Sequence, residues 1–155
     1  MIKRMSHAGV YVLDQERAKA FYTEKLGLEV RQDVTMEGFR WLTVGPKEQP
    51  DFEIVLSEPK PPMVDEETAK TMHEFIARGA FGAGVLEVDD CYATFNELTR
   101  KGVTFVQEPA ERPYGIEAVL RDDSGNWFSV TERRTIPGAT YGKPTEAAAT
   151  KAGSR

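Results

Sequence analysis

His7-Ala-Gly-Val-Tyr-Val-Leu-Asp14 and Ala83-Gly-Val-Leu-Glu-Val-Asp-Asp90 are two versions of one pattern. Each is an apolar run with strand-type alternation that ends on Asp, a residue whose carboxylate caps helix N-termini. After Asp14, the residues Ala18, Phe21, Tyr22 and Leu26 recur at helical spacing, and Gly27 supplies a left-handed stop. In the second copy Asp89 or Asp90 suits the cap, Cys91, Phe95 and Leu98 share one helix face, and Gly102 closes it. A duplicated module of this kind can set two half-sheets across a cleft, and clefts are where ligands bind.

Reading outward, the opening strands cover residues 3–12 and 82–88. Three more strands follow in each half, over 28–34, 39–44 and 51–57 and then 103–107, 116–121 and 126–132. Both halves therefore read β-α-β-β-β, an α+β chain. Between them Glu58-Pro-Lys-Pro-Pro-Met63 starts a stiff loop, and Met72, Phe75 and Ile76 predict a short helix within 64–78. The expected organisation is one domain over 1–135, with modules at about 1–57 and 82–133 joined by 58–81. The tail 136–155 has no apolar periodicity and reads as disordered. The Pro-rich stretch 107–115 reads as a long loop rimming the cleft, with Tyr114 its contact residue.

Composition narrows the function classes. A length of 155 residues suits one domain, and a net charge of -5 argues against a nucleic-acid surface. No apolar run reaches the ~20 residues that span a bilayer, and Met1-Ile-Lys-Arg-Met lacks the apolar core of a secretory signal. The single Cys91 excludes an internal disulfide framework and a cysteine zinc cage, and reads as a structural thiol. A cytoplasmic protein fits these features.

Strand alternation separates two faces. Ala8, Val10, Val12, Ile54, Leu56, Leu86, Val88, Phe128 and Val130 belong against the helices. The opposite parity carries His7, Tyr11 and Glu53 in one half and Ala83, Val85, Glu87, Trp127, Ser129 and Thr131 in the other, with Trp41 joining them if Leu42 and Val44 face the helices. This mixed aromatic and acidic face, with Glu117 on a neighbouring strand, suits a cationic or planar ligand. Arg40, Arg112 and Arg121 could neutralise those acids or bind an anionic group, and His73 reads as a surface histidine.

These segments, together with Ala20-Phe-Tyr-Thr-Glu-Lys-Leu-Gly-Leu-Glu29, Lys101-Gly-Val-Thr-Phe105 and Arg121-Asp-Asp-Ser-Gly-Asn126, resemble the vicinal oxygen chelate superfamily. That superfamily includes glyoxalase I, bleomycin-resistance proteins, fosfomycin-resistance enzymes and extradiol dioxygenases, and the resemblance covers residues 2–133. It implies two βαβββ modules in a U-shaped, partly open barrel. It also implies a homodimer in many members, with a cleft that in some is built from both chains. Members with a divalent metal place His and Glu ligands at the start of the first strand and in the last strand of each module. Carried over, those positions fall on His7 and Glu53 in the first half and on Ala83 and Ser129 in the second. Two ligands are at most half a set for a tight site, although Glu87 or Glu117 could supply a noncanonical third.

The reading preferred from this resemblance is a metal-free small-molecule-binding protein of the glyoxalase/bleomycin-resistance type. Its expected ligand contacts are Tyr11, Trp41, Glu87, Tyr114, Trp127 and Ser129. The alternative is a divalent-metal-dependent lyase, isomerase or dioxygenase, with His7, Glu53 and Glu117 as catalytic candidates. A non-metal enzyme or a partner-binding protein on the same scaffold is a third reading.

Overall fold

A computed structural model describes residues 1–134. The expected tail, 136–155, lies outside the described residues. The elements run β1 (His7–Tyr11), α1 (Gln15–Ala20), β2 (Glu29–Met36), β3 (Phe39–Gly45), β4 (Glu53–Ser57), α2 (Glu66–Ala77), β5 (Gly82–Glu87), α3 (Cys91–Arg100), β6 (Thr104–Arg112), β7 (Gly115–Arg121) and β8 (Trp127–Arg133). They build two four-stranded mixed sheets with the same order, β1-β4-β3-β2 and β5-β8-β7-β6. In each, the first and last strands of a β-α-β-β-β unit pair in parallel and the others antiparallel. The duplication is thus present as structure, in an α+β fold of open sheets.

The local chemistry that starts and stops the helices is visible. Asp14, Asp65 and Asp90 each accept from a backbone N–H three residues on, at 2.8 Å, which satisfies one of the donors a helix N-terminus leaves unpaired. Of the two candidate caps in the second half, Asp90 takes the role. Gly27 and Gly102 close the helical segments at φ of +73° and +80°. The helix after β1 is not uniform, because α1 continues as a π-helical turn over Phe21–Lys25 that buries Phe21 and Tyr22.

One expectation is corrected. Residues 107–115 are not a long loop, since β6 runs to Arg112 and pairs with β7 through Arg112↔Gly115. Only Pro113 and Tyr114 form the turn. The proline at 109 is tolerated because β6 is an edge strand with an irregular register between Gln107 and Ala110, where a missing N–H removes no essential ladder bond.

A single buried cluster joins both sheets. It contains Val10, Val12, Leu42, Val44, Ile54 and Leu56 from the first sheet and Ile116, Ala118, Leu120, Phe128 and Val130 from the second. Ala18, Phe21, Tyr22, Cys91 and Leu98 fill the space between, with the rings of Tyr22 and Phe128 edge to face at 6.1 Å. Both sheets turn their helix side toward one core, so their other faces point away from it. The Asp122–Asn126 turn fastens the halves together: Ser124 Oγ accepts from Leu13 N, Asn126 Nδ2 donates to the Tyr11 carbonyl, and the Tyr22 hydroxyl donates to Asp122.

Candidate functional site

On the first sheet, register brings the sequence candidates together. His7 pairs with Glu53, and its Nε2 lies 3.4 Å from Glu53 Oε2. Its Nδ1 lies 2.8 Å from Ser6 Oγ, and its ring sits 5.8 Å from that of Trp41. The next row is Gly9↔Val55↔Thr43↔Gln32, and Tyr11 pairs with Ser57 beyond it. Two residues of this face were missed from sequence: Gln32, whose Nε2 reaches Glu53 Oε2 at 3.4 Å, and Thr43, which is fully buried. The available signal was parity, since Thr43 is two residues from Trp41.

On the second sheet, Glu87↔Thr131↔Glu117 form one row and Val85↔Ser129↔Val119 the next. The Ser129 hydroxyl lies 2.6 Å from Glu117 Oε2 and 2.9 Å from Thr131 Oγ1. Burial works to raise the Glu117 carboxyl, but hydrogen bonds from Ser129 and Tyr114 and the charge of Arg112, 3.7 Å away, outweigh it and hold the group below the usual carboxylate range. Glu87 is exposed and pairs with Arg133 at 3.0 Å. Trp127 lies over Gly82, where an added Cβ would stand 2.5 Å from the indole. Arg40 is not a ligand group here: Asp33, at 2.8 Å, and Glu16 hold it. Hydrogen bonds from Arg40 and Lys19 in turn keep the Asp33 carboxyl well below its ordinary value.

The pairing also shifts the correspondence between halves. Val12 N donates to Ser57 O, and Val88 N donates to Thr131 O. Ser129 therefore matches Val55, and Trp127 takes the place of Glu53. A bulge between Gly82 and Gly84 leaves Ala83 packed against the core. Glu53 and Ser129 therefore do not occupy equivalent positions, and the second half offers beside Ala83 either an indole, which does not ligate a divalent ion, or a serine hydroxyl, a poor ligand for one. The face of His7 and Glu53 is on a different sheet from Glu87 and Glu117, so neither of the latter completes the set within a chain. Among the described residues no three His, Cys, Asp or Glu side chains gather as metal donors. The donor set does not fit the metal that the fold family implies.

The remaining sequence candidates are placed as follows. Cys91 is buried, its thiol 3.5 Å from the Val130 carbonyl, and burial pushes it above the ordinary thiol range, as suits a packing residue. His73 sits on the surface, with Nε2 3.1 Å from the Pro59 carbonyl. Tyr11 and Trp127 are more than a third exposed on the outward faces of their sheets.

Among solved structures, this architecture matches UcmS2 with 57% identity and a TM-score of 0.82, over 85% of this chain and 99% of that one. It also matches TnmS3, an antibiotic binding protein from Streptomyces sp. CB03234, with 29% identity and a TM-score of 0.69, over 86% and 98% of the two chains. The uncharacterized protein YurT of Bacillus subtilis (strain 168) is 36% identical over 125 residues, 80% of this chain and 94% of that protein. The model of the Glyoxalase/Bleomycin resistance protein/Dioxygenase superfamily matches residues 4–130. With two β-α-β-β-β units in the same sheet order and that match over most of its length, the chain belongs to the glyoxalase/bleomycin resistance protein/dioxygenase superfamily.

Proposed function

We propose that this protein binds a small molecule, of the antibiotic kind, without chemical conversion and without a metal. The observation that carries the reading is the character of the two faces turned from the core. Each leaves large apolar or aromatic groups exposed (Tyr11 and Val34 on one, Val85 and Trp127 on the other) around half-buried carboxylates, Glu53 and Glu117. Apolar walls with a few fixed polar groups are the usual make-up of a ligand site. The likeness to TnmS3, described as an antibiotic binding protein, supports the same reading.

The working form in this proposal is a homodimer in the cytoplasm. Because each chain packs its two sheets on one shared core, a second copy is what can close a face of the first sheet with a face of the second. The ligand then contacts Tyr11, Trp41 and Glu53 of one chain and the second-sheet face, with Glu87, Tyr114, Glu117, Trp127 and Ser129, of its partner. No helix of the described residues is long and apolar enough to cross a membrane, and the lone buried thiol suits a reducing compartment.

The test is a thermal-shift screen of the untagged protein against bleomycin and a panel of planar aromatic antibiotics, run beside Ni, Zn, Mn, Fe and Mg salts. At saturating ligand one member of the panel should raise the midpoint by several degrees. A panel with no effect, beside a metal shift abolished by Glu53→Ala, would replace this reading with the metal-dependent enzyme.

A further inference from the structure

We propose that His7, Gln32, Thr43 and Glu53 form a hydrogen-bonding subsite for one neutral hydroxyl of the ligand, with Gln32 as its placeholder. The inference rests on the small-molecule reading above. The sheet order β1-β4-β3-β2 puts Gln32 and Glu53 on strands either side of β3. Their 3.4 Å contact therefore reaches over β3 beside Thr43, the direct neighbour of Gln32 and of Val55. Thr43 is fully buried there, and Val55 in the same row is buried with it.

The contact does not satisfy its surroundings. Among the described residues Thr43 Oγ1 is buried with no hydrogen-bond partner, and so is His7 Nε2. Glu53 Oε2 receives two long approaches, from His7 and Gln32, each at 3.4 Å. Buried polar groups are normally paired, so an unpaired hydroxyl beside an exposed, weakly held amide marks a place that something else fills. A group entering in place of the Gln32 amide must donate to Glu53 and pair with the Thr43 hydroxyl, which can donate or accept. An anion would meet the Glu53 charge, whereas a hydroxyl donates to the carboxylate and uses its own oxygen to accept from the threonine. The Trp41 ring beside His7 gives that hydroxyl a flat wall, so a hydroxyl carried on a ring fits best.

The experiment is protein-observed NMR on the full chain, read at the indole N–H signals of its two tryptophans, with Trp127→Phe assigning which is Trp41. The probes are 1-naphthol and 1-methoxynaphthalene, in which a methyl group replaces the hydroxyl proton and so removes the donor. The Trp41 signal should report binding of 1-naphthol about tenfold tighter. Glu53→Ala should remove that preference, Thr43→Val should weaken both probes alike and Thr43→Ser restore them, and Gln32→Ala should tighten 1-naphthol while leaving the methyl ether unchanged. Thr43→Ser also guards against a Thr43→Val chain that fails to fold. Equal affinities in the natural sequence, a preference that survives Glu53→Ala, or no response at Trp41 overturns the subsite. Equal binding of both probes leaves the small-molecule reading standing, which fails separately on an antibiotic panel without effect.

Discussion

Glu117 shows how a single side chain ties the second sheet face to pH. Burial opposes its charge, yet the hydrogen bonds of Ser129 and Tyr114 and the nearby Arg112 leave its folded-state carboxyl below the ordinary value of 4.5. A carboxyl depressed by folding adds stability above its unfolded value, and that contribution is lost as pH falls through the folded one. Glu117→Gln should therefore cost about 1–2 kcal/mol at neutral pH in urea unfolding. The gap from the natural sequence should close as the pH drops below 4.5. A gap that stays constant with pH would mean the charge is not what the network holds. Gly82 bears on the same face: Gly82→Ala forces the indole of Trp127 aside and should move its fluorescence maximum while the fold is kept.

At the scale of elements, the turn before β8 is the most consequential short segment. Asp122 Oδ1 accepts from the backbone N–H groups of Ser124, Gly125 and Asn126, and its other oxygen accepts from Asn126 Nδ2 and the buried Tyr22 hydroxyl. Asp122→Ala should destabilise by about 3 kcal/mol or more, since it orphans several buried donors together. Asp90→Ala removes one cap bond at the start of α3 and should cost only about 1 kcal/mol. Denaturation midpoints in urea would rank the two, and a cap variant as damaging as the turn variant would contradict the account. Gly125 sits in the same turn at φ +123°, and a Cβ there would stand 2.2 Å from the Ile76 carbonyl of α2. The turn thus locks α2 as well as the two halves, and Gly125→Ala should unfold at lower urea than the natural sequence.

For the whole molecule, one core between two sheets leaves each outward face with exposed apolar groups around a buried centre. Val85 is 62% exposed there although it is a β-branched apolar residue in a strand. If a second copy covers it, Val85→Glu should yield a monomer in sedimentation velocity with unchanged circular dichroism, and should lose antibiotic binding together with the dimer. A Val85→Glu chain that still binds as a monomer would place the ligand within one chain.

Much of this was legible in the sequence because it is local. Two Asp-terminated strand runs, helical spacing up to Gly27 and Gly102, and period-two alternation together determined the two β-α-β-β-β units and which residues share a face. Pairing register is a long-range property, and the tertiary structure alone decided it. It matched Glu53 with Trp127 instead of Ser129, turned the expected 107–115 loop into the end of an edge strand, and carried Gln32 over β3 to Glu53. Strand alternation says which side a residue is on, but what lies beside it depends on which strand is its neighbour and by how many residues the two are offset. The packing of both sheets on one core is of the same kind. Each sheet's apolar face is written in its own strands, whereas the choice to bury it against the other half's helix was made only where Tyr22 meets Phe128 and Asp122.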